Sequence, residues 1–264
     1  MHLDFLNLGS GSRGNCTLIE CGNTCILVDA GLSCRQITSR LISAGKDPAR
    51  VQGICITHGH SDHISGVGKF CADYNIPVYC NSITQSFIAL GVKKANQKMP
   101  EFRNFNTRDC FQIGDVRIET FEVSHDIGDP IGYVFQTGAI KIGVVTDLGR
   151  MTTLVRERIR GAYALLFESN HDLGLLRNSS RPWRLIQRIC ANTGHLSNEQ
   201  SAEALNEISS DGLKVVSLAH LSEECNHPDL ALNAVLDKLQ GKDIEVKVAF
   251  QEGPTWILPK DFDV

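Results

Sequence analysis

Gly53-Ile54-Cys55-Ile56-Thr57-His58-Gly59-His60-Ser61-Asp62-His63 runs from a short apolar segment into four potential metal ligands packed within six positions. Three imidazoles and one carboxylate suit Zn²⁺, Mn²⁺ or Fe²⁺. Ligands spaced H-x-H-x-D-H cannot share one helix face, where neighbours sit three or four residues apart. The spacing predicts a loop leaving a strand: Gly53 to Ile56 as the buried strand, Ile64-Ser65-Gly66 leading toward a helix. Such a loop can aim alternate side chains at two adjacent ions. A solvated turn is the competing reading. Three of the chain's nine histidines fall within these six residues, which argues against it.

Working outward, other polar residues close predicted strands in the same way. Leu3 to Leu8, Cys16 to Cys21 and Cys25 to Val28 read as strands, the last ending in Asp29-Ala30-Gly31. Residues 34 to 44 read as a helix with Ile37, Leu41 and Ile42 on one face, followed by a helix near 65 to 73 and a strand at Pro77 to Cys80. Ser82 is expected to cap a helix running to Leu90. Val116 to Val123 leads to Ser124-His125-Asp126. Strands at Gly132 to Gln136 and Ile140 to Thr146 follow, the second ending in Asp147. Ala164 to Phe167 leads to Glu168-Ser169-Asn170-His171-Asp172, and Val215 to Ala219 leads to His220. A helix from Ser197 to Ile208 has a Ser197/Gln200 capping box, and Ile244 to Phe250 reads as the last strand. A strand end on a rigid scaffold presents ligands accurately, so this recurrence is itself a signal.

Composition sets the frame. The chain has 264 residues and a formal charge of −4, a mild balance that gives no overall basic footprint for nucleic acid and leaves local patches to be examined. No basic leader with an apolar core opens the sequence, and no apolar run reaches the length of a membrane span, so a cytoplasmic protein is expected. The ten cysteines form no C-x-x-C pair, and several sit inside apolar runs as buried hydrophobes of a reducing compartment. Without linkers, repeats or low-complexity segments, residues 1–264 read as one α/β domain of two packed sheets with helices outside.

The ordered set His58-x-His60-x-Asp62-His63, His125, Asp147 and His220, with Asp29 before it, resembles the metallo-β-lactamase fold superfamily. That resemblance implies an αββα sandwich, two mixed sheets with helices on both outer faces and a dinuclear site at one edge. It also implies that His58, His60 and His125 hold one metal, that Asp62, His63 and His220 hold the other, and that Asp147 bridges them. Asp29 would order the histidine loop from behind. Six phrases are similar to the YycJ/WalJ-like branch, bacterial cytoplasmic 5′→3′ exonucleases acting on DNA: Ser10-Gly11-Ser12-x-Gly14-Asn15-Cys16, Asp29-Ala30-Gly31-Leu32-Ser33, Ser124-His125-Asp126, Glu168 to Asp172, Gly194-His195-Leu196-Ser197-Asn198, and Ala219-His220-Leu221-Ser222. Gly59 departs from the glutamate expected in many relatives.

Two divalent cations about 3.5–4 Å apart deprotonate a bridging water and clamp an in-line displacement, which suits attack of a bridging hydroxide on a phosphodiester. Asp62 is expected to act at the reacting centre. His195 or His171 would protonate the departing oxygen, with Glu168 orienting one of them, although either histidine could instead bind phosphate or cap a loop. From Leu173 to Asn198 there are four arginines and no acid, with Trp183 among them. Arg177, Arg181 and Arg184 are the expected phosphate contacts, together with Ser12, Asn15 and Asn170, unless the run is a solvated helix face. Lys93, Lys94, Lys98, Arg103 and Arg108 suggest a second basic loop beside the metals, or surface solubility. The expected partner is a nucleic acid, DNA before RNA, and the sequence is compatible with a homo-oligomer without calling for one. A small-molecule hydrolase acting on a thioester, lactone, lactam or cyclic phosphodiester is the alternative, since fold alone does not separate the two. A non-catalytic metal-stabilised regulator ranks last, because all seven ligands are present.

Overall fold

A computed structural model describes residues 2–210, 212–260 and 262–263. The first sheet contains β1 (Leu3–Gly9), β2 (Cys16–Cys21), β3 (Thr24–Val28), β4 (Gly53–Cys55), β5 (Val78–Cys80) and β6 (Phe102–Asn104). The second contains β7 (Cys110–Ile113), β8 (Val116–Glu122), β9 (Ile131–Thr137), β10 (Ile140–Val145), β11 (Ala164–Glu168), β12 (Val215–Ala219) and β13 (Glu245–Val248). β14 (Thr255–Trp256) returns to pair with β1. Both sheets follow one plan. Antiparallel neighbours come first (β1-β2-β3 and β7-β8-β9-β10), then parallel ones (β3-β4-β5-β6 and β10-β11-β12-β13).

Strand periodicity explains the layering. In β1, Leu3 and Phe5 point between the sheets, while Leu6 and Leu8 point to the outer helices. In β11, Ala164 and Leu166 take the inner face, and Leu165 and Phe167 the outer one. Strands buried on both faces must be apolar nearly throughout, which is why they read as continuous hydrophobic runs. The outer layers are helical. On the first sheet lie α1 (Cys34–Ser43), the short α2 (Ser61–Ile64), α3 (Val67–Tyr74) and α4 (Ser82–Lys94). On the second lie α5 (Thr153–Ile159), α8 (Asn198–Ile208) and α9 (Pro228–Lys238). α6 (Leu173–Arg177) and α7 (Trp183–Ile189) pack on Cys225 as a small separate cluster. The expected αββα sandwich is the observed one.

Local differences from the sequence reading have physical causes. Ile37 and Leu41, four apart, are buried in α1, but Ile42 turns outward and is 61% exposed. Asn81, not Ser82, caps α4, accepting from Thr84 N, and the helix continues to Lys94. The histidine run is not wholly a loop, because Asp62 and His63 fall within the single turn of α2. The last strand is shorter than expected and is followed by β14. The second basic stretch does not line the metal pocket: Arg103 pairs with Glu101, and Arg108 with Glu122. Cys25 lies in β3, where burial pushes its thiol up to about 12, as expected of a packed hydrophobe.

Candidate metal centre

Asp29, His58, Asp147, Glu168 and His220 all follow or close strands that point to one edge of the sandwich. Three of them turn the chain sharply. Asp29, Asp147 and His220 have φ of 61°, 57° and 58°, a left-handed conformation that is costly for residues with a Cβ. His220 is held there by its own N–H, which donates to Ser10 Oγ at 2.7 Å.

The side chains converge in two groups of three. Ligand atoms of His58, His60 and His125 lie within 4.8 Å of one another, as do those of Asp62, His63 and His220. His60 Nδ1 is 3.0 Å from His58 Nε2 and 3.2 Å from His125 Nε2. Asp147 stands between the groups, its Oδ1 3.5 Å from His125 Nε2 and its Oδ2 3.2 Å from His63 Nε2. Asp147 Oδ2 is buried and outside hydrogen-bonding geometry.

These residues fit a pair of divalent cations. Nitrogens bound tetrahedrally at about 2.0–2.1 Å stand about 3.3 Å apart, close to the spacing of the three imidazoles. In His58, His63, His125 and His220 the outward nitrogen has a hydrogen-bond partner, which leaves the inward one free to face a cation. His63 Nδ1 donates to Asp29 Oδ2 at 2.7 Å, His125 Nδ1 to Gly194 O at 3.2 Å, and His220 Nδ1 to Glu168 Oε1 at 3.0 Å. Thr57 Oγ1 lies 3.0 Å from His58 Nδ1 and 2.9 Å from Asp29 Oδ2. Asn15 Nδ2 lies 3.0 Å from His63 Nε2 and 3.3 Å from Asp62 Oδ2.

Charge balance follows the same geometry. Burial opposes protonation of His63 and His220, yet carboxylates outweigh it and raise both well above the ordinary imidazole range: Asp29 and Asp147 for His63, and Asp147, Asp62 and Glu168 for His220. Burial and the His63 imidazole hold His58 well below that range. Burial would raise Asp62, but His220 and His63 hold its carboxyl far below the usual carboxylate range. Cations would replace the protons on the raised imidazoles.

The sequence pattern of the beta-lactamase superfamily domain matches residues 24–220, from the start of β3 to the last candidate ligand. The chain belongs to the beta-lactamase superfamily. Over 95% of its length it is 37% identical to the exodeoxyribonuclease YycJ of Bacillus anthracis, 94% of which it spans. Over 92% of its length it is 38% identical to the exodeoxyribonuclease WalJ of Streptococcus pneumoniae, with 91% of that protein spanned. These identities place it in the YycJ/WalJ branch of the superfamily. The metallo-beta-lactamase fold protein YhfI of Bacillus subtilis has the same fold, with a TM-score of 0.73 at 16% identity, over 96% of this chain and 99% of that one.

Around this cluster lies a cavity of about 310 Å³, lined by candidate ligands and by Ser12, Asn170, Arg181, Arg188, His195 and Ser222. Of the two candidate proton donors, His195 is at the cavity. Its Nδ1 donates to Glu168 Oε1 at 2.8 Å, and the Glu168 carboxylate raises its pKa against the effect of burial. Glu168 Oε2 accepts from Leu148 N at 2.6 Å, so both its oxygens are held. His171 is outside the cavity lining and 1% exposed, and burial lowers it to about 4, both of which disfavour it as a proton donor. Asn15 is likewise not at the cavity: it is buried against Asp62 and His63. Arg177 and Arg184 are exposed outside the lining, whereas Arg181 and Arg188 are in it. Arg181 pairs with Glu224, and Arg188 with Asp126.

The sequence pattern assigned no role to Thr57, Ser10, Asp126 or Ser222, and left Arg188 out of the expected phosphate contacts although it lines the cavity. Each carried a positional signal: Thr57 adjoins the histidine run, and Ser10, Asp126 and Ser222 stand in the phrases that carry the resemblance. A Cβ at Gly59 would stand 2.5 Å from the Phe87 ring, so the side chain expected there has no room unless Phe87 moves.

Proposed function

We propose that this chain is a metal-dependent DNA exonuclease that digests from the 5′ end, built as one domain over residues 1–264 and working in the cytoplasm. The observation that carries the reading is the convergence of two three-residue ligand groups about Asp147 at the floor of an arginine-flanked cavity. His58, His60 and His125 would hold one ion, Asp62, His63 and His220 the other, and Asp147 would bridge. Mn²⁺, Zn²⁺ and Fe²⁺ all suit the donor set, and its carboxylates favour Mn²⁺. Bound there, such a pair supplies a water deprotonated near neutral pH and positive charge for a phosphodiester.

The chain's own residues do the rest. Asp62, held by Asn15, faces the reacting centre. Arg181 and Arg188 supply planar donors to phosphate oxygens, and Ser12 and Asn170 supply polar contacts at the cavity wall. His195, oriented by Glu168, is placed to give a proton to the departing sugar oxygen. No described helix is long and apolar enough to cross a membrane.

The test is digestion by protein stripped and reloaded separately with Mn²⁺ and Zn²⁺. The substrates are 5′-labelled and 3′-labelled DNA and RNA strands, with an Asp62→Ala/His63→Ala control. Mononucleotide release from the 5′ end of DNA, by the wild type alone, is the expected result. No cleavage of any strand with both metals bound sinks the nuclease reading and directs attention to thioesters and lactones.

A further inference from the structure

Helix α4 carries a surface that neither the core nor the metal centre uses. Its inner side buries Thr84, Ile88 and Val92. On the outer side Ile83, Phe87 and Leu90 are 43%, 41% and 53% exposed. They stand at i, i+4 and i+7, so they form one stripe, and Lys94 at i+11 continues it. α4 has no acidic residue, and among the described residues Lys93 and Lys94 make no ion pair.

The stripe begins at the metal centre. The close approach of Phe87 to Gly59 lays its ring against the backbone between His58 and His60. Ile83 has the same relation to Gly128, where a Cβ would stand 3.0 Å away, in the loop that follows His125 and Asp126. An apolar track with one aromatic, one sign of charge and an origin at the metal ligands matches the way single strands are held: bases on π-faces and apolar side chains, phosphates along a basic edge.

We infer that this face of α4 is the track for a single-stranded nucleic acid entering or leaving the metal centre, with a base on Phe87, a second over Leu90 and the backbone drawn to Lys93 and Lys94. The inference rests on the nuclease reading. A second copy of the chain fits the surface less well. Three partly exposed side chains are a small part of the roughly 800 Å² per partner of a stable interface, and the lysines would face their own copies.

The test is fluorescence anisotropy of a 3′-labelled, phosphorothioate-linked 12-nucleotide single strand on metal-loaded protein. The Phe87→Ser and Leu90→Glu variants are each expected to weaken binding about tenfold or more, and Phe87→Trp to restore it where Phe87→Leu does not. Leu90→Glu is expected to leave hydrolysis of bis-(p-nitrophenyl) phosphate within twofold, because that small diester does not reach α4. Unchanged strand binding in Leu90→Glu and Phe87→Ser overturns the inference. So does sedimentation showing a wild-type dimer that Leu90→Glu splits. If wild-type protein binds the strand but cleaves no nucleic acid, the nuclease reading fails while the binding result still decides the track.

Discussion

Glu168 takes the Nδ1–H of His195 on its Oε1 at 2.8 Å, inside a network that fills every acceptor position of the carboxylate. The same oxygen also accepts from His220, so one carboxylate orients a candidate proton donor and a candidate ligand together. Replacing His195 by alanine is expected to lower kcat on DNA by about 10²–10⁴ with little change in KM, the range for loss of a general acid. Metal content, measured by plasma mass spectrometry, is expected to stay at two ions per chain. Loss of an ion instead would make His195 a ligand, as its proximity to Asp147, Glu168 and His220 also permits.

Asp29 touches the candidate ligands through His63 directly and, by way of Thr57, through His58. Its carboxylate accepts from His63 Nδ1, Thr57 N and Thr57 Oγ1, fixing the ring and the start of the histidine run. Partners of this kind are typically worth 10- to 100-fold in metal affinity. Asp29→Asn is therefore expected to weaken binding by about that factor in a chelator competition. Activity at saturating metal should largely recover. A variant that binds metal normally would reduce Asp29 to a backbone role.

Two arginines of the one-signed run line the cavity and two do not. Arg188→Ala is expected to raise KM for DNA about tenfold, and to lower the slope of log affinity against log salt by about one, as for one lost phosphate contact. Arg177→Ala, on the exposed end of α6, is expected to stay within twofold of wild type in the same titration. Equal effects in both would mean that the run acts as a diffuse positive field.

Legibility in the sequence followed the strength of local signals. β12 and the capping box at Ser197 and Gln200 were readable to the residue, because a buried apolar run and a capping box are local patterns. The edge strands β6 and β7 were not, because their side chains are mostly exposed and lack a buried face. α9 was missed for a different reason. Leu230 and Leu236 face solvent while Ala231 and Val235 are buried, so the apolar stripe is blurred. The seven candidate ligands stood out because four of them crowd the short run from His58 to His63, while His125, Asp147 and His220 each come just after a strand. Arg188 was left out of the expected phosphate contacts and Asn15 was expected at the substrate rather than behind Asp62, because the cavity wall and that contact exist only once distant loops meet.

Proton and metal compete for the same imidazoles. Without metal, the surrounding carboxylates raise His63 and His220 well above the ordinary range, which favours their protonated forms. A divalent ion binds the neutral ring and must displace those protons. The sign is fixed: raising the pH removes the competitor, so metal affinity increases with pH through and above the ordinary imidazole range. Binding at pH 7 is expected to release protons, which calorimetry in buffers of different ionisation enthalpy reads directly. Stripping the metals should also lower the melting temperature by about 10 °C, since a ligand at about a thousand times its Kd adds about 4 kcal/mol, spread over a chain of this size. Proton release near zero at pH 7 would show that His63 and His220 are neutral before metal arrives, and that the carboxylates around them are held by something other than imidazolium.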